Sequence, residues 1–210
     1  MGRKKKESLA RFNRENIMQS ARTLFETNGI EKTTVDDIAK EADCSKSTLY
    51  VYFKSKEEIL QTILLEEMQQ LLAMLKENVE NEGNFRENYH AVCRAMVAYE
   101  KKYPVYFACM LETIELPEEQ TDAQNVRVQI YETGEALNDE VMCLLKKGEQ
   151  EGVIKEGLNP VLTAMFFWSG ISEIIRFSGQ KETYLGHRMN ISREDYMEYG
   201  FSLLLESILA

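Results

Sequence analysis

Proline is scarce in this 210-residue chain, at three residues, and glycine supplies only eleven. With so few breakers, long uninterrupted helices are permitted and a fold made mostly of tight turns is disfavoured. Strict alternation of apolar and polar residues, which a half-buried strand requires, is also missing. So are long apolar runs, since none approaches the roughly 20 residues of a membrane span. The opening Met1-Gly2-Arg3-Lys4-Lys5-Lys6 has no apolar stretch behind it, which argues against a secretory signal. A cytoplasmic protein without membrane association is expected.

Reactive side chains are few and dispersed. The four cysteines, Cys44, Cys93, Cys109 and Cys143, form no C-x-x-C pair. Reduced thiols packed as small hydrophobes are expected of them, with a redox-sensing thiol as the alternative use. His90 and His187 stand far apart and supply no zinc motif. No nucleophile with its base and orienting partner is visible, nor any glycine-rich loop to cradle a phosphate. An enzyme is therefore disfavoured, and no catalytic residue, metal ligand or cofactor is predicted.

What is present is apolar residue at 44%, enough for a packed core, and charge in an uneven distribution. The net charge is −10, yet residues 1–56 carry 12 Lys and Arg against 8 Asp and Glu. The remaining residues carry 13 against 27. A basic head can approach phosphates, while an acidic body is repelled by them.

Apolar spacing and caps predict helices along nearly the whole chain. A first helix is expected over 13–28, capped by Asn13, with Ile17, Ala21, Leu24 and Phe25 on its inner stripe and Gly29 closing it. Thr34 and Asp37 form a capping-box pair for a short helix whose inner face is Val35, Ile38, Ala39 and Ala42. Asp43-Cys44 makes a tight turn, and Ser45 caps a second short helix held by Leu49 and Phe53. Ser55 and Glu58 cap a long helix running to about residue 80. Further helices are expected over 84–102, from Pro104 to about 116, from Pro117 onward, over 160–178 after the Asn159-Pro160 cap, and from Ser192 to the end.

Two short helices joined by a tight turn and followed by a supporting helix are the helix-turn-helix layout. With Leu49 and Phe53 turned inward, the second short helix shows Lys46, Ser47, Thr48 and Tyr50 on its other side. A short helix with a polar outer face suits the major groove of DNA.

This segment resembles the DNA-binding signature of the TetR family of repressors. The likeness covers helix 1, the Thr33-Thr34-Val35 entry, Ile38-Ala39, the run from Ser45 to Tyr50, and Phe53-Lys54-Ser55-Lys56-Glu57. Asp43 stands where the family usually has glycine, Cys44 where an apolar residue is usual, and Tyr52 where histidine is common. The resemblance implies an all-α fold: an N-terminal three-helix helix-turn-helix domain over 1–54 with a basic arm, and a helical ligand-binding and dimerisation domain over 55–210. It implies a repressor of a palindromic operator in double-stranded DNA. Lys46 and Ser47 would face bases, with Ser45 and Thr48 beside them. Thr34, Tyr50, Tyr52 and Lys56 would hold phosphates, and Arg3 to Lys6 would form a flexible arm near the neighbouring backbone or minor groove. A DNA-associated structural or division factor of the same fold is the competing reading.

The stretch 160–178 is apolar almost all round, so it needs covering on two sides. In the family this helix and the last one form an intersubunit four-helix bundle, which implies a homodimer. Tyr99, Tyr103, Tyr106, Phe107 and Met110 cluster around Pro104, with Met96, Tyr131, Met142 and Trp168 on other predicted helices. For any one of these nine residues ordinary core is the reading its chemistry favours; it is the resemblance that implies that they wall a pocket for a small apolar or amphipathic ligand.

Overall fold

The computed structural model describes residues 2–112 and 124–210, with the backbone alone for 2–5. The described residues form nine α-helices and one π-helical turn. These are α1 (Gly2–Asn28), α2 (Val35–Glu41), α3 (Lys46–Tyr52), α4 (Lys56–Val79), α5 (Phe85–Lys102), α6 (Pro104–Met110), α7 (Val126–Gln150), α8 (Pro160–Tyr184), the π turn (Leu185–Met189) and α9 (Arg193–Glu206). Extended backbone pairs only at one isolated bridge among the described residues, Ile154 with Leu209. The class is all-α, as expected.

Packing separates two compact units. The first gathers the described residues up to Glu67 with those of 108–130, and the second those of 68–107 and 131–210. In the first unit, Ile17, Ala21 and Phe25 of α1 are buried together with Ile38 and Ala39 of α2, Leu49 of α3, Phe53, and Ile59 and Ile63 of α4. Each of the Ile, Leu and Phe side chains contributes roughly 1.5–3 kcal/mol by leaving water, and each alanine methyl about 0.8 kcal/mol. Gly29, at φ +84°, lets the chain leave α1 in the left-handed region, as its place after the last apolar residue predicts.

In the second unit, α5 buries Phe85, Tyr89, Val92, Cys93, Met96 and Tyr99, and α8 buries Phe167, Ile171 and Ile175. The Tyr89 ring meets Phe167 edge-on at 5.4 Å, and its hydroxyl donates to the Phe201 carbonyl of α9 at 2.9 Å. The caps predicted at Asn159 and Ser192 form: their side chains accept from the backbone N–H groups of Leu162 and Asp195.

Four local expectations are corrected. Asn13 does not cap α1, which starts at Gly2. Residues 3–11 are mostly Lys, Arg, Glu, Leu and Ala, all good helix formers, and Arg11 pairs with Glu15 one turn on. The basic arm at Arg3 to Lys6 is therefore helical backbone; the side chains of 1–5 lie outside the described residues. The helix from Pro104 ends at Met110 rather than near 116. The helix start predicted at Pro117 lies outside the described residues, within which α7 begins at Val126; the Asn125 side chain accepts from the Arg127 N–H at 2.9 Å. α8 runs on past 178 to Tyr184, because Gln180, Lys181 and Glu182 keep helical backbone on a solvated face where apolar spacing has stopped.

Gly148 of α7 faces Phe85 and Ile154 so closely that an added Cβ would meet each at 3.0 Å. Gly148→Ala is expected to lower stability by about 1–3 kcal/mol through overpacking, measured as a lower denaturation midpoint for the body. An unchanged midpoint would show that Phe85 yields without cost.

Candidate nucleic-acid interface

The first unit is built to present α3. Thr34 accepts from the Asp37 N–H at 3.2 Å, and the Asp37 carboxylate accepts from the Thr34 N–H at 2.9 Å, closing the predicted capping box. Those bonds hold the Asp37 carboxyl below the usual carboxylate range, the Thr34 hydroxyl first and its backbone second. After α2, Asp43 takes φ +47°, and the Cys44 N–H returns to the Ala39 carbonyl at 2.9 Å. Aspartate tolerates this left-handed backbone better than most residues, so the turn forms without the glycine. Ser45 then caps α3 by accepting from the Thr48 N–H at 3.1 Å.

Leu49 and Phe53 are buried, and the rest of α3 faces outward. Ser45, Lys46 and Ser47 are exposed, Thr48 is half-buried, and Tyr50 and Val51 stand 47% and 76% exposed. The Ser45 Oγ lies 2.8 Å from both Ser47 Oγ and Thr48 Oγ1, forming a hydroxyl cluster at the head of the helix. α3 has seven residues and is about 10 Å long, and a helix cross-section of about 10–12 Å with side chains fits a major groove about 12 Å wide.

Neighbouring elements fix the surrounding polar groups. Tyr52 is half-buried, and its hydroxyl accepts from Asn13 Nδ2 of α1 at 3.1 Å. Asn16 Nδ2 donates to the Ala42 carbonyl at 2.8 Å, and the Arg14 guanidinium lies 5.0 Å from the Phe53 ring centre. Thr34 is exposed at the head of α2. Lys56, the first residue of α4, donates from Nζ to the Ile30 and Thr33 carbonyls at 2.9 and 3.0 Å. Its ammonium thus ties the α1–α2 connection to α4. The Glu58 carboxylate accepts from the Lys54 N–H rather than from Ser55, while Ser55 accepts from the Glu58 N–H at 3.2 Å. Arg22 of α1 pairs with Glu66 and Glu67 of α4. Asn13, Arg14 and Asn16 are not legible in the sequence as parts of this surface, because periodicity starts α1 where they stand.

A cleft of about 560 Å³ lies between α1 and the turn, lined by Phe12, Asn13, Asn16, Asp43, Ser45 and Thr48 among others. Amides and hydroxyls at its edge are groups that can donate to phosphate oxygens.

The nine residues predicted to wall a pocket are distributed unevenly. In the second unit the rings of Tyr99, Tyr103 and Phe107 meet at 5.4 and 6.4 Å, and Met96, Tyr99, Tyr106 and Phe107 are buried. Tyr103 is half-buried, and its hydroxyl donates to Gln70 at 3.0 Å. Met142 and Trp168 are half-buried on α7 and α8, while Tyr131 is 45% exposed. Met110 falls in the first unit, half-buried at the end of α6. Two cavities of the second unit are lined by other residues. One of about 360 Å³ lies between α5 and α9, with His90, Arg94 and Val97 facing Glu194, Met197 and Phe201. The other, about 370 Å³, is bounded by Phe177, Tyr184, Leu185, Met189 and Tyr196. Burial holds His90 below its usual value, and the Arg94 charge adds to this.

Of the thiols, Cys93 is buried, which raises its pKa to about 12 and keeps it protonated. Cys44 and Cys109 are half-buried. Cys143 departs from the expected packing: it is exposed, on the solvent side of α7 between Met142 and the buried Leu144. Among the described residues no group of three or more His, Cys, Asp or Glu is placed to hold a metal, and no helix is long and apolar enough to cross a membrane.

Comparison with known proteins places this geometry. Residues 17–63, from α1 into α4, match the model of bacterial regulatory proteins of the tetR family. The chain is 26% identical over 162 residues to the fatty acid metabolism regulator protein of Bacillus subtilis, covering 76% of this chain and 79% of that one. The crystal structure of PfmR, a TetR family transcriptional regulator from Thermus thermophilus, superposes with a TM-score of 0.67 at 26% identity, over 90% and 93% of the two chains. FadR from Bacillus subtilis in complex with stearoyl-CoA has the same fold, with a TM-score of 0.68 at 24% identity over 92% and 98%. With its capped two-helix motif, its helix order and these likenesses in agreement, residues 17–63 are a tetR-family DNA-binding domain, and the chain as a whole is similar to TetR family transcriptional regulators.

Proposed function

We propose that this protein is a cytoplasmic, dimeric repressor that reads a palindromic operator with α3 and leaves it when a small amphipathic molecule binds the body. The observation that carries the DNA half is the outer face of α3: Lys46, Ser47 and Tyr50 stand exposed beside Ser45 and Thr48, over an inner face buried at Leu49 and Phe53. Lys46 and Ser47 read base edges in the major groove, with Ser45 and Thr48 at bases or adjoining phosphates. Thr34, Tyr50, Tyr52 and Lys56 hold the sugar-phosphate backbone; Lys56 does so from the N-terminus of α4, where the helix dipole adds to its charge. Residues 1–54 are the reading head with its basic N-terminal segment, and 55–210 the sensing and pairing body.

Pairing is assigned to α8 and α9. Val161, Leu162, Met165 and Phe166 of α8 and Tyr199 and Leu203 of α9 are all exposed apolar side chains. A monomer rarely leaves so many large apolar side chains of two neighbouring helices in water. A two-fold partner covers it, and two heads then meet half-sites about one helical turn apart.

The sensing half rests on the aromatic and methionine walls of the body and on likeness to a regulator whose structure holds stearoyl-CoA. Met96, Tyr99, Tyr103, Tyr106, Phe107, Met110, Tyr131, Met142 and Trp168 are the proposed ligand-facing residues, and a long-chain acyl group is the class favoured. Release requires that the ligand bind the DNA-incompetent state more tightly than the competent one.

Selection of bound fragments from genomic DNA, followed by mobility-shift titration, tests the DNA reading. A few sites are expected, and binding scattered over many unrelated sequences would favour a structural factor instead. On the recovered operator, Tyr50→Ala and Lys56→Ala are expected to weaken binding across sequences, with Lys56→Ala reducing the salt slope by about 1. Unchanged affinity in both would remove the phosphate assignment. Changes at Ser47 should alter base preference by about 1–3 kcal/mol at one position. Leu203→Glu combined with Phe166→Glu is expected to halve the mass seen by light scattering and abolish operator binding; a dimer that survives both would place the interface elsewhere. Titrating stearoyl-CoA and shorter acyl-CoA species into the operator complex should free the DNA, and a complex indifferent to every chain length would rule out acyl induction.

A further inference from the structure

Lys46 opens α3, a helix with no acidic residue in its first turn. A cation there is opposed by the helix dipole and needs a counter-charge from another element. Asp36 of α2 supplies it: Lys46 Nζ lies 2.9 Å from one Asp36 carboxylate oxygen and 3.1 Å from the other. The contact spans the turn between the two helices of the motif, and both side chains are exposed, at 49% and 68%. The bond to Asp36, with its charge, raises the affinity of Lys46 for its proton.

The placement has a consequence for DNA. A lysine without a partner on a reading surface attracts any phosphate and releases a counter-ion wherever it lands, and this contribution is blind to sequence. A lysine closed on a carboxylate carries no net charge toward a phosphate. An exposed pair is also weak enough to exchange, so the ammonium can leave Asp36 where a base offers something better than a lone phosphate oxygen. The adjacent O6 and N7 acceptors of guanine in the major groove are such a partner.

We propose that Asp36 is a specificity-determining residue: it withdraws Lys46 from non-specific phosphate binding and releases it to a base edge only at the operator. This rests on the reading of α3 as the major-groove helix. Asp36 is not itself required to touch DNA. It lowers affinity for unrelated sequences more than for the operator, widening the ratio between them. The three other acidic residues around the motif, Asp37, Glu41 and Asp43, carry the same charge; Asp37 is engaged by Thr34, and Asp43 shapes the turn. Charge alone therefore does not single out Asp36, and its position against Lys46 does.

The test uses the full-length protein, the operator recovered by genomic selection and a scrambled duplex of equal length, each titrated over a salt series. Asp36→Asn is expected to tighten binding to the scrambled duplex by about threefold or more and to steepen its salt slope by about 0.9, the value for one added phosphate contact. Operator affinity should change by less than that, so the specificity ratio falls. Asp43→Asn removes the same charge from the same motif without touching the pair, and should shift both duplexes alike. Adding Lys46→Gln to Asp36→Asn should erase the gain on scrambled DNA. Asp36→Ser, carried beside Asp36→Asn with thermal unfolding of each, separates a charge effect from damage to α2 and should act in the same direction. Equal tightening on both duplexes, or a gain that survives loss of Lys46, would reduce Asp36 to a bystander charge and overturn the proposal. Failure of the wild-type protein to bind either duplex would overturn the DNA reading beneath it, a result distinct from the first two.

Discussion

A helix of seven residues does not hold itself together in water, because nucleating a turn costs more than so few backbone bonds return. α3 exists because Leu49 and Phe53 are taken out of water against α1 and α2, with Ser45 satisfying its first amides. Everything the protein does with DNA depends on that anchoring. One face of α3 is committed to the core, and the other stays rigid and available with its hydroxyls, ammonium and phenol in set positions. The capping box at Thr34, the left-handed turn at Asp43 and the Lys56 bonds to two carbonyls hold the supporting pieces at fixed register. Small polar contacts of this kind contribute about 1 kcal/mol each. Their value lies in geometry, since a base contact tolerates little displacement.

The second unit answers to different physics. α5 lies against α8 and α9 through Tyr89, whose ring packs on Phe167 and whose hydroxyl satisfies the Phe201 carbonyl. That single side chain joins three helices by apolar contact and a buried hydrogen bond together. Its packing leaves a second face of α8 and α9 uncovered, and the exposed Leu162, Phe166, Tyr199 and Leu203 stand there. The acidic excess of the body opposes its approach to the polyanion that the basic head binds.

Legibility in the sequence followed the range of the forces involved. Caps at Thr34, Ser45, Asn159 and Ser192, the closing Gly29 and the inner stripes of the first unit rest on contacts within a few residues, and all are where the spacing puts them. The start of α1 escapes that reading because Asn13 has the chemistry of a cap but sits in a run of strong helix formers. Its amide is instead occupied 39 residues away, at Tyr52. On α7 the apolar period of Ile130, Leu137, Val141 and Leu144 marks the buried stripe, and Tyr131 and Cys143, expected inside from their residue type, lie off it and are exposed.

Local chemistry in the chain thus determined that it is helical, that it carries a helix-turn-helix, and which side of α3 is buried, because each follows from 3.6-residue periodicity and from side chains reaching their own backbone. Tertiary structure alone decided that Lys46 meets Asp36 across the turn, that Lys56 reaches the carbonyls before α2, and that a cavity opens between α5 and α9. Those contacts join residues that periodicity treats as unrelated, and only the packing of whole helices brings them within bonding distance.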